Sequence, residues 1–333
     1  VTGFLALLLA LQLIAAYTLV FTRLRHGLRL FGALIIAALS LVLFVIAAEA
    51  YPILARDGAA VFFRAEWDPA RESYGALQAL AGTLVTSAIA VAIAAPLAVG
   101  AAVLVNEILP ARARSAFSSL MDLMATVPTV IYGLWGLSVL GPFLQCSVNA
   151  LCDSLARGDA ARALAAPYLC AAGQASYGHA VMGSPYTLLT AGALLAVMIT
   201  PYAAAVIRDG YALIPKPVEE AVYAVGATKF EAVLVKLRCA KNYIAGGLLL
   251  ALGRAMGETV AVAMVVGGSL SRLTLNPLDS GITISSLIAL QFPAAAVYQY
   301  MLPALFAAAL LLAACGLSLN IAATYLIYRQ PAR

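Results

Sequence analysis

Residues 219–258 read EEAVYAVGATKFEAVLVKLRCAKNYIAGGLLLALGRAMGE. The first half of this stretch is polar and charged, and it belongs to a segment, 208–243, that separates long apolar runs. The second half is an apolar helix holding two opposite charges, Arg254 and Glu258, four residues apart. A charge near mid-bilayer costs roughly 2.5–3.5 kcal/mol on insertion scales, so a membrane protein keeps one only for a reason. The two halves together predict a docking surface outside the membrane and a charged element within it.

Composition supports this outward from that stretch. Of 333 residues, 64% are hydrophobic and 11% charged, and the mean hydropathy is +0.97. A soluble chain this apolar would expose adhesive surface everywhere. The apolar runs are continuous rather than alternating, which excludes a β-barrel reading and predicts an all-α, polytopic membrane protein. Seven spans are expected, at 3–22, 30–50, 79–105, 119–143, 186–207, 244–269 and 301–327. The chain begins with Val, and Val1–Thr22 lacks a basic leading region, so it reads as a span rather than a signal peptide. The expected organisation is two amino-terminal helices (1–50), an interfacial segment (51–78), a transmembrane core (79–327) and a short tail (328–333).

Lysine and arginine placement orients the chain. With 23–29, 106–118, 208–243 and the tail on one side, that side holds 13 basic residues against 6 on the other. Excess basic charge marks cytoplasmic loops, which predicts the amino terminus outside and the carboxyl terminus inside. The net charge of +5 is therefore topological and implies no nucleic-acid partner. Phe62, Phe63 and Trp67 among Arg64, Glu66 and Asp68 suit a headgroup interface. The outer loop 145–185 holds Cys146, Cys152 and Cys170. Two of these can pair in an oxidising compartment, with one left over; unpaired thiols are the equal alternative. Cys239 and Cys315 are not expected to bridge. No P-loop, HExxH or GxSxG motif is present, so the chain reads as neither an ATPase nor an enzyme of those classes.

Local chemistry sharpens the loop. Pro215 and Pro217 fix a helix start, and Glu219 and Glu220 then fall in its first turn, where negative charge suits the helix dipole. Ala221, Val222, Ala224 and Val225 form a small apolar surface, and Gly226 ends or bends the helix. Thr228 with Glu231 predicts a capping box that restarts it. The result is two short helices at an angle, a shape suited to a partner's groove.

On the helix that follows, Gly253 and Gly257 each fall within about 20° of Gly246 at 100° per residue. These glycines predict close packing on another helix. Arg254 and Glu258 share an adjacent face and are expected to interact, either along a translocation pathway or as a structural ion pair. In 127–136, Pro128 predicts a kink, Gly133 and Gly136 close contact, and Tyr132 with Trp135 a cavity lining or an interface anchor; packing and gating is the favoured role. Asp122 is expected at a helix N-terminus, and Asn106 with Glu107 at the end of the preceding span.

Several segments resemble one family in order. Glu220-Ala221-Val222 with Gly226 is similar to the EAA loop of ABC importer permeases. Residues 253–262, GRAMGETVAV, and 127–136, VPTVIYGLWG, resemble the corresponding stretches of PstC-type permeases of high-affinity phosphate importers, as do Glu66-Trp67-Asp68-Pro69, 74–77 and 82–87. The resemblance spans roughly 60–327. It departs at the close of the loop, where Arg238 follows Leu237, and in 145–185. It implies a permease subunit of a type I ABC importer in the inner membrane, moving inorganic phosphate. It also implies a second related permease subunit, a dimer of ATP-binding subunits that holds ATP and magnesium, and a periplasmic phosphate-binding protein. No cofactor is implied on this chain. By the resemblance Arg254 and Glu258 serve translocation, and Glu220, Ala221 and Gly226 the ATPase coupling. Pro128, Tyr132, Gly133, Gly253 and Gly257 are expected to serve helix packing and gating. The alternatives are a permease for molybdate or sulfate, a stand-alone anion symporter or channel, and a sensor acting through the same complex.

Overall fold

The computed structural model describes residues 24–158, 181–270 and 273–328. Among these, all regular structure is helical apart from two isolated bridges. Five helical segments are long and apolar enough to cross a membrane: Leu28–Asp57, Leu77–Ile108, Thr129–Ala156, Leu188–Ala212 and Met301–Ile327. The expected span at 3–22 lies outside the described residues.

Helix α1 covers Leu24–Asp57 and turns Ile36, Leu39 and Phe44 outward, as a lipid-facing helix does. Helix α2, Leu77–Val103, continues into a π-helical turn at Leu104–Ile108. Helix α3 covers Ala111–Thr126 and α4 Thr129–Trp135; a second π turn, Gly136–Leu140, leads into α5, Gly141–Ala156. Helix α6 is Leu188–Ala212. Two short helices follow, α7 (Lys216–Ala224) and α8 (Lys229–Cys239). The chain returns through α9 (Lys241–Gly257) and α10 (Val260–Val265), then α11 (Ile284–Gln291) and α12 (Met301–Tyr328).

Two expected spans are interrupted. At 119–143 the expected kink is a full break. A residue before proline is pushed out of the helical region, and Val127 has φ −58° and ψ 131°. The Tyr132 hydroxyl donates to the Met124 carbonyl across the gap at 2.9 Å. Asp122 therefore lies in the last turns of α3 rather than at a helix start, and the membrane-length segment runs 129–156. At 244–269 the helix stops at Gly257, Glu258 is extended (φ −70°, ψ 125°), and α10 restarts at Val260.

The core has two parts. Ala90, Ala94, Ala98 and Ala102 form a stripe along α2 against Leu194, Leu195, Met198 and Ile199 of α6. Small side chains at four-residue spacing let two helices approach closely. The second part joins Ala50 and Ile53 of α1, Trp67 and Tyr74, Ile284 and Leu287 of α11, and Ala304, Leu305 and Ala308 of α12. A Cβ at Gly82 of α2 would meet the Ile282 carbonyl, and one at Gly246 of α9 would meet Ile327 and, at 3.2 Å, the Ala323 carbonyl. Cys146 is disulfide-bonded, while Cys152 and Cys315 are free. Of the two readings of the outer thiols, pairing is the one found.

A Cβ at Gly82 meets backbone that cannot swing away, so Gly82→Ala is expected to cost about 1–3 kcal/mol, as overpacking does. Gly100, with nothing within 4 Å, is the control. Thermal unfolding in detergent should show a lowered Tm for Gly82→Ala and an unchanged or slightly raised one for Gly100→Ala, alanine being the better helix former.

Candidate functional site

Two neighbourhoods carry charge where the fold makes charge expensive. The first is the loop between α6 and α9. Helix α7 is entered from Pro215 (φ −62°) with Pro217 in its first turn, and Glu219 lies there too. It ends at Gly226, whose φ of +82° is the left-handed conformation that glycine adopts without penalty. The Gly226 N–H donates to the Tyr223 carbonyl at 3.0 Å and the Ala227 N–H to that of Val222 at 3.4 Å. This crossed pair satisfies carbonyls that a helix end leaves open. Thr228 and Glu231 form the expected capping box: the Thr228 N–H donates to the Glu231 carboxylate at 2.7 Å, and the Glu231 N–H donates back to Thr228 Oγ1 at 3.4 Å.

Glu220 and Ala221 are exposed on α7. The apolar surface is larger than the sequence reading gave it. Val225 is 84% exposed and Phe230 72%, with Tyr223 and Leu234 also open. Apolar side chains this exposed, on helices outside the membrane-length segments, mark a surface awaiting a partner.

Beneath that surface lies a buried ion cluster. Lys236 of α8 places its ammonium 2.8 Å from Glu107 Oε1 and 2.7 Å from Glu219 Oε1. The Lys236 and Glu107 side chains are only 8% and 10% exposed. The Tyr211 hydroxyl donates to the same Glu107 oxygen at 2.8 Å, and Lys229 Nζ to the Glu107 carbonyl at 3.0 Å. Burial draws the Lys236 pKa down, but the Glu107 and Glu219 carboxylates outweigh it and hold the pKa above the ordinary lysine value. A lysine with a raised folded pKa contributes full stabilisation below its unfolded pKa and loses it as pH rises through the folded one. The cluster thus keeps its lysine charged throughout the neutral range. Sequence reasoning gave Glu107 only the end of a span. The missed signal is Lys236 itself, four residues after Ala232 on the buried face of α8.

The second neighbourhood is the break after α9. The expected contact between Arg254 and Glu258 is not formed: among the described residues no ion pair within 4.0 Å joins them. The helix closes there with a tightened turn, the Glu258 N–H donating to the Ala255 carbonyl three residues back at 3.3 Å, and an i,i+4 contact belongs to a regular α-helix. Arg254 is exposed, and its guanidinium sits 5.9 Å from the centre of the Tyr202 ring of α6. The Glu258 carbonyl, freed by the break, accepts from Ser285 Oγ at 2.6 Å. Ser285 stands at the start of α11, where the Ile284 N–H donates to Thr83 Oγ1 of α2 at 3.0 Å.

The packing residues divide. Gly253 faces Asn320 of α12, with Oδ1 3.3 Å from where a Cβ would stand. Gly133 lies against Met264 and Ala261 of α10. Gly257 has nothing within 4 Å, so in this chain it packs on no helix. Pro128 is exposed at the α3–α4 break, and Tyr132 is half-buried there.

The loop geometry is testable alone. Open space surrounds Gly226, so Gly226→Leu acts through backbone conformation, at about 1–2 kcal/mol, and Gly226→Asn costs less. Thr228→Ala removes the cap at roughly 0.5–2 kcal/mol. Hydrogen exchange should quicken for amides of 216–239 in Gly226→Leu and Thr228→Ala, and leave α2 and α6 unchanged.

A family model described as binding-protein-dependent transport system inner membrane component matches residues 94–330. The chain is 38% identical over 285 residues to a probable phosphate transport system permease protein PstC of Methanocaldococcus jannaschii, covering 84% of this chain and 85% of that one. It is 36% identical over 270 residues to the PstC permease of Mesorhizobium japonicum, covering 80% and 77%. Against that of Pasteurella multocida it is 31% identical over 280 residues, covering 83% and 82%. The matched range takes in α7 and α8, the break at Glu258 and the Glu107 cluster, and the chain belongs to the family of binding-protein-dependent transport system inner membrane components.

Proposed function

We propose that this chain is a membrane-spanning permease subunit of an ABC importer that carries inorganic phosphate into the cytoplasm. The observation that carries the reading is its likeness, over 84% of its length, to a permease named for phosphate transport, joined to an exposed cation, Arg254, on an apolar helix. An uncovered arginine in hydrocarbon is expensive, so its face belongs against a water-lined path or a second subunit. A single mobile cation suits an anion that must leave as readily as it enters.

The partners follow from the same reading. The exposed surface of Tyr223, Val225, Phe230 and Leu234, with Glu220 and Ala221 beside it, receives an ATP-binding subunit, where hydrolysis occurs. Leu123, Ile131, Leu134 and Val139, all exposed along α3, α4 and the π turn that follows, face a second related permease. A phosphate-binding protein delivers the anion from the outer side. The amino terminus is outside and the carboxyl terminus inside the inner membrane. Differential affinity of the ATP-binding subunits for two permease conformations supplies the work.

Proteoliposomes holding the full complex should take up labelled phosphate only with ATP, with arsenate competing better than sulfate or molybdate. Uptake without ATP would instead indicate a symporter or channel, and preferential competition by molybdate or sulfate another oxyanion. In the working complex, Arg254→Gln should lower uptake about ten- to a hundredfold while all subunits still co-purify, the loss expected when a charge-assisted contact is removed from a low-dielectric path. Glu220→Ala should weaken retention of the ATP-binding subunit.

A further inference from the structure

The two charged neighbourhoods lie at opposite ends of one helix. Glu107 sits in the π turn that ends α2, and Thr83 sits near its start. At 1.5 Å per residue they are about 36 Å apart. At the Glu107 end, α2 holds both coupling helices: α7 through Glu219 and Lys236, and α8 through Lys236 and Lys229. At the Thr83 end it holds the start of α11, whose Ser285 in turn holds the Glu258 carbonyl at the break in α9. Between the ends, the alanine stripe packs α2 along α6.

We propose that α2 is the connecting rod of this permease, carrying displacement of the cytoplasmic loop from Lys236 and Glu107 to Thr83 and so to the break beside Arg254. The inference rests on the importer reading above and names the route that coupling takes.

Three features favour this route. Helix α7 has a glycine hinge at Gly226 on one side and Pro215 on the other, so its ion pair with Lys236 is its firm link to the bundle. A buried lysine held by two carboxylates from different elements ties them together: parting from Glu107 strands two buried charges, and parting from the half-exposed Glu219 leaves the lysine with one carboxylate instead of two. The π turn at 104–108 is held open from outside the helix. Asn106 Nδ2 donates to the Arg208 carbonyl at 3.3 Å, and Arg114 donates to the Asn106 carbonyl at 3.0 Å. Such turns occur where a helix must meet a functional contact. At the far end, the helix break leaves Glu258 with one backbone anchor on α11, the Ser285 bond, so a shift of α11 alters the geometry beside Arg254.

In this scheme Lys236, Glu219 and Thr83 are positioning residues that act through α2. The test is a coupling ratio, phosphate taken up per ATP hydrolysed, in proteoliposomes of the whole complex. Lys236→Met and Thr83→Val should each lower that ratio by about tenfold, within the usual span of coupling free energies. The ATP-binding subunit should still co-purify, and hydrolysis should continue. Because both variants cut one path, the double variant should lose little more than either alone, whereas independent defects would multiply. Lys236→Arg, which keeps a cation able to bridge two carboxylates, should restore the ratio. Should Lys236→Met fail to assemble, Glu219→Gln stands in, since Glu219 is 39% exposed and the Glu107–Lys236 pair survives its loss. An unchanged ratio in assembled variants, multiplicative losses in the double variant, or loss of the ATP-binding subunit in both single variants would overturn the proposal. Absence of ATP-driven uptake in the wild-type complex would overturn the importer reading first and the proposal with it.

Discussion

Inside a bilayer no water is available to satisfy an open N–H or carbonyl, so a helix can be interrupted only where the protein supplies the partners. Much of this fold follows from that constraint. The chain interrupts helices at Val127–Pro128 and at Glu258–Thr259, and in each place a side chain closes an open group. Tyr132 donates to Met124 at the first break and Ser285 to Glu258 at the second. The start of α11 is closed in the same way, by Thr83 and by its own capping box. These hydroxyls sit in three different helices, so the breaks also specify which helices must be neighbours.

The class of the fold was legible because hydrophobic run length is a strong signal and needs no knowledge of neighbours. The capping box at Thr228 and the stop at Gly226 were legible for a similar reason, since both are decided within a few residues. The breaks were not. Pro128 announced a disturbance, but whether a proline kinks or ends a helix depends on which group donates to the freed carbonyl, and Tyr132 can be assigned that task only in three dimensions. At Glu258 no proline warns of the interruption. A helical wheel drawn through 246–258 assumed a continuity that the chain lacks, which is why the contact of Arg254 with Glu258 failed while Gly246 and Gly253 fell correctly against α12.

Charge was read unevenly for the same physical reason. Arg254 stood out because everything around it in sequence is apolar. Glu107 did not, because a carboxylate at the end of a span is ordinary and its partners lie 104 and 129 residues away. The two sites contrast in how they treat charge. Lys236 is buried and held by two carboxylates, whereas Arg254 is exposed, with an aromatic face as its neighbour. The first arrangement suits a fixed joint and the second a contact that forms and dissolves.

The packing of Gly246 against Ala323 and Ile327 has a consequence for biosynthesis. Helix α9 carries an arginine and several glycines and stops after 17 residues, which makes it a weak candidate for insertion by its own hydrophobicity. A surface that receives it belongs to α12, which the ribosome makes after it. Until the final residues of α12 emerge, α9 has only its earlier neighbours α6 and α2 to pack on, with Gly247 against Val206 and Ile207, and a nascent chain must hold a half-packed, charge-bearing segment at the membrane. A frameshift in the last codons of α12 would therefore injure α9 as well as α12 itself.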